Sequence, residues 1–321
     1  MTEVLLSLSG IHARSEKTIQ ATQDWERGRI GSKQLGRQFG EDVRQLIALQ
    51  KTLGFEFISD GQLTTHWQDL LTPITTEAEG VKKGPLVRWF NTNTFYYVPL
   101  IESAISIDGR SFGQAVESRL LGEESSRVVL PDPLTFAECS DNKHYRSREE
   151  LMFAYADDIL SPILRSLESM GAGYLQLSAP SLVARFREEK PGKGELSQVA
   201  EAVRSALRHC HVRTGYHTFF GDAAGYLPFL LDSIATDDIG FDLTETDASK
   251  VGKTSKGIVA GVANARSSYV ESPGELAKRV GGLVDKTERL VLAPSCDLRY
   301  VPRLVADEKL KNLARARRAL S

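Results

Sequence analysis

His217, Glu245 and Cys296 are the residues of this chain whose types could do chemistry together. Imidazole, carboxylate and thiolate are the ligand types that zinc selects. They lie far apart in sequence, each just beyond a β-branched or apolar run, so a shared site would have to be built by the fold and not by a local loop. Such a trio leaves a coordination position open. A thiol entering it would lose its proton, because the metal favours the anion, and the thiolate would attack an activated methyl group. The position two after His217, where a second thiolate would complete the set, is Phe219. Each residue also has a plainer reading. A buried strand-end Cys is a small hydrophobe, a lone His is a hydrogen-bonded structural residue, and Glu245 faces solvent.

The elements that must position these residues are short apolar runs alternating with helical patterns. Residues 4–8, 55–59, 104–107, 127–130, 174–177, 212–218, 239–243, 258–262 and 290–293 read as strands. Residues 33–53, 148–170, 196–209, 224–234, 273–283 and 305–320 read as helices. This alternation implies a parallel sheet with helical crossovers. About eight strands in a chain of this length fit closure into a (β/α)8 TIM barrel. The expectation is a single domain over residues 1–321 with an extended excursion at about 62–101. A doubly wound open sheet is the rival, but no Gly-x-Gly-x-x-Gly follows the first strand.

In such a barrel the active site gathers at the C-terminal ends of the strands. Those ends supply Ser9 and His12, Asp60 and Gln62, Asp132, Ser178, His217, Asp222, Glu245, Asn264 and Arg266, and Cys296. His66 and Trp67 follow the Asp60-Gly61-Gln62 turn, where substrate contact and loop packing are both open. The run from Arg88 to Tyr97 sets five aromatics among amides. It could stack a flat ring such as a pterin, or anchor a long loop.

Bulk properties narrow the class. The 321 residues are 41% hydrophobic and 26% charged, enough to bury a full core, and a net charge of -2 offers no global field for nucleic acid or an anionic membrane. The basic stretch 309–318 fits the last turns of a terminal helix, complementing its dipole. Three cysteines are no disulfide framework and point to a reducing compartment. There is no signal-peptide pattern and no run of transmembrane length, so a cytoplasmic location is expected.

Several stretches carry a resemblance: Ser59-Asp60-Gly61-Gln62, Arg88-Trp89-Phe90-Asn91-Thr92-Asn93 with Tyr97-Val98-Pro99, His217-Thr218-Phe219-Phe220-Gly221-Asp222, Gly261-Val262-Ala263-Asn264-Ala265-Arg266, and Pro294-Ser295-Cys296-Asp297-Leu298. In order and spacing the chain resembles the cobalamin-independent methionine synthases over nearly its whole length. Those enzymes pair two related (β/α)8 barrels. The C-terminal barrel binds zinc and homocysteine, and the N-terminal barrel is a degenerate duplicate that helps hold the folate donor. The resemblance implies zinc ligands at His217, Glu245 and Cys296, three of the four in the catalytic barrel, with Phe219 replacing the first Cys. The Asp-Glu-Pro turn that grips the homocysteine amino group stands here as Ser178-Ala179-Pro180. An expected carboxylate is Gln62, and the proton-relay His falls at Arg266.

Carried over position by position, the resemblance implies catalytic roles for Asp60, Asp222 and Arg266. It implies substrate contacts at Ser9, His12, Arg14, Gln62, Trp67, Asn91, Asn93, Ser178 and Asn264. Two functions follow from it. The first is methyl transfer from a methylated pterin of the 5-methyltetrahydrofolate type to a thiol such as homocysteine, shared with a separate catalytic barrel. The second is a self-sufficient zinc-dependent thiol methyltransferase with a corrinoid or pterin donor and a modified acceptor site. The Trp-Phe-Asn-Thr-Asn and Phe-Phe-Gly-Asp runs are more similar to the N-terminal barrel, which favours the first.

Overall fold

The computed structural model describes residues 2–64, 69–120, 126–185, 191–192 and 194–320. Strand β1 (Glu3–Leu6) is followed by helices α1 (Glu16–Glu26), α2 (Ser32–Leu53) and α3 (Thr72–Glu77). In α2 the buried Leu35, Phe39, Val43, Leu46 and Ile47 recur at helical spacing. Gly54 then stops the helix at φ 73°, its N–H returning to the carbonyls of Gln50 and Lys51. Next come β2 (Glu79–Arg88), β3 (Phe95–Ser106), α4 (Gly109–Leu120), β4 (Ser126–Pro131), α5 (Pro133–Glu138) and β5 (Asp141–Asn142).

The second half is regular. It runs α6 (Arg148–Ala154), a π-helical turn (Tyr155–Leu160), α7 (Ser161–Ser169), β6 (Ala172–Ser178), α8 (Pro180–Arg185), α9 (Glu195–Leu207) and β7 (Arg213–Thr218). Then follow α10 (Leu227–Asp232), β8 (Asp238–Asp242), β9 (Gly257–Ala263), α11 (Pro273–Val280), β10 (Arg289–Pro294) and α12 (Arg303–Leu320). The sequence reads 148–170 as one helix. The structure inserts the π turn just before Pro162, whose missing N–H cannot continue an α-helical ladder.

Seven strands form one parallel sheet in the order β1-β10-β9-β8-β7-β6-β4. The seven residues of β9 are all buried, as expected where both faces of a parallel sheet are covered. The sheet is rolled. Gln176 of β6 donates through Nε2 to the Ser9 carbonyl just after β1 at 2.6 Å, although four strands separate β6 from β1 in the ladder.

The expected closed eight-stranded ladder is not what forms. Among the described residues, pairing beyond β4 continues as a single parallel bridge between Ile58 and Ser126. Across the remaining seam the Leu6 N–H, a potential ladder donor, goes to the Glu56 side chain at 2.7 Å. Phe57 packs its ring on Tyr174 at 5.1 Å between centroids. A carboxylate thus substitutes for a ladder acceptor, and among the described residues the curled sheet stays open at this seam.

The excursion is more ordered than its sequence suggests. Strands β2 and β3 form an antiparallel hairpin, with β5 added parallel to β3. Gly84 and Pro85 interrupt the alternation of β2 and conceal it, and the strand read at 104–107 is mostly the end of β3. Trp89, fully buried at the hairpin's turn, meets Phe90 and Tyr96 edge-on at 4.8 and 5.2 Å.

The basic C-terminal stretch also divides. Arg317 and Arg318 do stand in the last turn of α12, and Arg317 bonds the Gly54 carbonyl and the Glu56 carboxylate. Lys309, at the start of that stretch, is instead fully buried against Glu271 at 2.7 Å. No helix among the described residues is long and apolar enough to cross a membrane.

Candidate functional site

The ends of β8, β9 and β10 gather one charged cluster. Asp242 closes β8 and is buried. Its Oδ1 accepts from the Thr244 N–H and Oγ at 2.8 and 2.6 Å. Arg266, beyond β9, bonds the Glu245 carboxylate and lies 3.7 Å from Asp242 Oδ2, with its guanidinium 5.7 Å from the Phe220 ring centroid. The loop that carries Arg266 is fixed from below. Asn264 Oδ1 accepts the Arg266 N–H at 3.0 Å, and the Asn264 N–H goes to Glu271 at 2.7 Å. Cys296 is buried after β10, where burial first, then the nearby Asp297 and Asp242 carboxylates, push its thiol well above the usual range.

His217 ends up in different surroundings. It faces Ser178 in register across β6 and β7, and the bare Cα of Gly240 leaves room for its ring, since a Cβ there would sit 2.7 Å away. Its ring is fully buried, and neither nitrogen has a hydrogen-bond partner among the described residues. Burial and then the charge of Arg127 lower its pKa to about 3, so the imidazole is neutral. Phe219 meets it edge-on at 5.8 Å.

A zinc ion does not fit this donor set. Among the described residues no group of three or more His, Cys, Asp and Glu side chains is disposed to hold a metal ion. Glu245 is spent on Arg266, and a phenyl ring stands where a second thiolate is needed. Glu245 does not simply face solvent, and His217 is not a hydrogen-bonded structural residue. Cys296 does behave as a small buried group.

The remaining sequence candidates fall into three neighbourhoods. Ser9 and Ser178 belong to the interior of the roll: Ser9 bonds the Pro294 carbonyl, and Ser178 Oγ accepts from Gln176 at 2.8 Å. His12 and Arg14 are buried beneath the mouth among α2 and α12. His12 Nε2 lies 2.9 Å from Asp307, and Arg14 donates to the Leu63 carbonyl across the Phe39 ring. Asp60 and Gln62 flank a small cavity beside β4, with Gln62 reaching the Val129 carbonyl at 3.0 Å. Asn91, Asn93 and Asp222 are exposed, the first two at the hairpin turn, while Asn264 is half-buried. Trp67 and His66 lie outside the described residues.

Aromatic rings join the hairpin to the strand ends. Phe90 packs on Phe220 at 5.4 Å, and Phe220 in turn lies near Phe219 and Tyr300. Phe90, Phe220 and Gln62 take positive φ values of 47°, 70° and 51°, and they are the non-glycine residues that do so among those described. Such strain, of order 1–3 kcal/mol per residue, persists where the surroundings over-determine it and concentrates at functional loops.

Sequence reasoning missed Asp242, Arg127, Gln176, Asp297 and Arg299. Arg127 and Gln176 point inward from strands, bonded to each other and through Gln176 to Ser9 and Ser178. Their signal was available, since a charged or amide residue within an otherwise apolar strand demands a buried partner. Asp132 stands among the strand ends that the sequence supplies, with no role attached. It caps α5 and accepts the Tyr216 hydroxyl at 2.9 Å.

Burial raises the Asp132 pKa to about 6, against the bonds from Thr135 and Tyr216. The fold therefore binds this proton more tightly than the unfolded chain does, and stability is lost as pH rises from about 4 to about 6. Asp132→Asn should flatten that part of the stability–pH curve by about 2–3 kcal/mol, read from urea unfolding at pH 4 and pH 7. An unchanged slope would refute the assignment.

The profile of the cobalamin-independent synthase N-terminal domain matches residues 75–287. The chain belongs to the cobalamin-independent methionine synthase family. It is 25% identical over 317 residues to the methionine synthase of Sulfurisphaera tokodaii, covering 95% of this chain and 89% of that one. It is 28% identical over 233 residues to a 5-methyltetrahydropteroyltriglutamate–homocysteine methyltransferase of Bifidobacterium animalis, covering 68% of this chain and 29% of that protein. The fold is shared with the putative vitamin-B12-independent methionine synthase of Listeria monocytogenes, with a TM-score of 0.78 at 16% identity over 99% of both chains. A B12-independent methionine synthase of a Shewanella species, solved with selenomethionine, superposes with a TM-score of 0.75 at 18% identity over 91% of this chain and 90% of that one. This methionine synthase-type chain therefore keeps the family's curled parallel sheet.

Proposed function

We propose that this chain acts in methyl transfer from a methylated pterin to a thiol such as homocysteine, and that it needs a separate catalytic barrel to activate the thiol. In this reading residues 1–321 are one barrel-type domain, its curled parallel sheet open at the seam beside β1 and the hairpin as its excursion, working in the cytoplasm. The observation that carries it is the Phe219 ring set edge-on against the neutral His217. A phenyl ring there cannot supply the anionic sulfur that a thiol-activating zinc needs.

What remains suits a flat, polar donor. Half-buried Phe90 offers an aromatic face, backed by the buried Phe220 on which Arg266 packs, and the exposed amides of Asn91 and Asn93 are next to it in the chain. Asp222 and Asp60 supply carboxylates for ring N–H groups. Ser9 and Ser178 brace the interior of the roll behind the strand ends, Gln62 flanks the cavity beside β4, and His12 and Arg14 hold the loop after β1. Zinc chemistry belongs to the partner in this scheme.

The test is a mixing experiment. The purified chain alone should form no methionine from methyltetrahydropteroyltriglutamate and homocysteine. Added to a catalytic barrel with an intact His-x-Cys set, it should raise that barrel's rate severalfold. Methionine formed by the zinc-supplied chain alone, at the rate of the mixture, would overturn the proposal.

A further inference from the structure

We infer that the guanidinium of Arg266 takes the place of a metal ion at this mouth, neutralising the strand-end carboxylates and excluding a divalent cation. Asp242 and Glu245 leave the end of β8 within four residues of each other, and the guanidinium reaches both. Asp242 is buried, Thr244 takes its Oδ1, and its Oδ2, without a hydrogen-bond partner among the described residues, lies 3.7 Å from this guanidinium. The positive charge is also positioned. Its backbone is held by Asn264, the Asn264 N–H by Glu271, and Glu271 by the buried Lys309, so the chain of bonds runs from the mouth into α12.

The exclusion follows from charge and stoichiometry. A divalent ion at Glu245 and Cys296 would share the carboxylates with a fixed, permanently protonated guanidinium, and the two cations would repel in a partly buried site. Arg266 supplies the counter-charge without asking for a thiolate. The family's zinc set has thus lost one ligand to Phe219 here, and a built-in cation engages another, Glu245.

This deepens the reading above and rests on it for the choice of zinc. Its test reads metal alone, so it can fail while the mixing experiment succeeds, and the reverse. Chelator-treated wild type, Arg266→Ala and Arg266→His are titrated with cobalt(II), following thiolate-to-cobalt charge-transfer absorption, and with zinc by equilibrium dialysis. The Arg266 side chain is about a third exposed, so both variants should fold, and their melting curves check it. Wild type should take up no stoichiometric metal. The variants should gain at least about tenfold in affinity, of the size that a metal's surroundings commonly contribute. The absorption band should disappear in Arg266→Ala/Cys296→Ser.

A third variant, Phe219→Cys, restores the missing thiolate while keeping Arg266, and should still exclude zinc. Stoichiometric zinc in wild type or in Phe219→Cys, or no gain in folded Arg266 variants, would overturn the inference.

Discussion

Lys309→Ala and Glu271→Ala are each expected to cost about 3–5 kcal/mol of folding stability, the range for breaking a buried ion pair by removing one partner. Lys309 is completely buried, 2.7 Å from Glu271 Oε2, and it also donates to the Tyr269 carbonyl. The loss is not one salt bridge alone. Glu271 Oε1 accepts the Asn264 N–H, and the Glu271 carbonyl accepts from Asn312 at 2.8 Å, so this residue ties the loop after β9 to α12. Glu271→Ala should therefore also loosen Arg266, seen as faster amide exchange over 264–267. Lys309→Ala leaves the Asn264 bond in place and should disturb that loop less. Urea unfolding of the two variants checks the stability change. A loss below about 1 kcal/mol in both would mean that water replaces the missing partner.

The same pair shows what could and could not be read from the sequence. Strand order and strand ends were legible because β6, β8, β9 and β10 are apolar runs buried on both faces, and such runs have few other uses. The residues just past them are therefore identifiable from the sequence itself. Which of them touch was not legible. Asp242 lies inside an apolar run, so it read as strand, yet its side chain reaches the mouth and meets Arg266. Lys309 sits among the arginines of a basic helix, and nothing local distinguishes the buried lysine from the solvated ones.

The seam beside β1 was hidden for a similar reason. Phe55 to Ser59 has the composition of a strand, but Glu56 uses its side chain to take a backbone donor that strand pairing would otherwise satisfy. The hairpin was hidden by Gly84 and Pro85, which read as loop although the pairing resumes beyond them. Long-range pairing decided each of these cases, and sequence periodicity carries no long-range term.

Asp297 should prove the most sensitive residue near the mouth after the Lys309 pair. It is buried, its Oδ1 accepts the Ile11 N–H at 3.0 Å, and its Oδ2 lies 3.4 Å from the Nε of Arg299, which is only 3% exposed. Burial pushes the Asp297 carboxyl up, with Arg299 opposing, so the pair is costly to assemble and costlier still to break. Asp297→Ala leaves a guanidinium buried beneath Trp89 and Tyr300 with its nearest carboxylate gone, and should lose about 3 kcal/mol or more. Asp297→Asn keeps an oxygen for Ile11 and should lose about 1–2 kcal/mol. Gly10→Ala attacks the same point sterically, since a Cβ at Gly10 would stand 2.1 Å from Asp297 Oδ1. The three variants separate charge, hydrogen bond and space. If Asp297→Asn costs as much as Asp297→Ala, the charge on Arg299 dominates. If it costs almost nothing, the Ile11 bond that ties the end of β1 to the end of β10 is what holds this side of the mouth together.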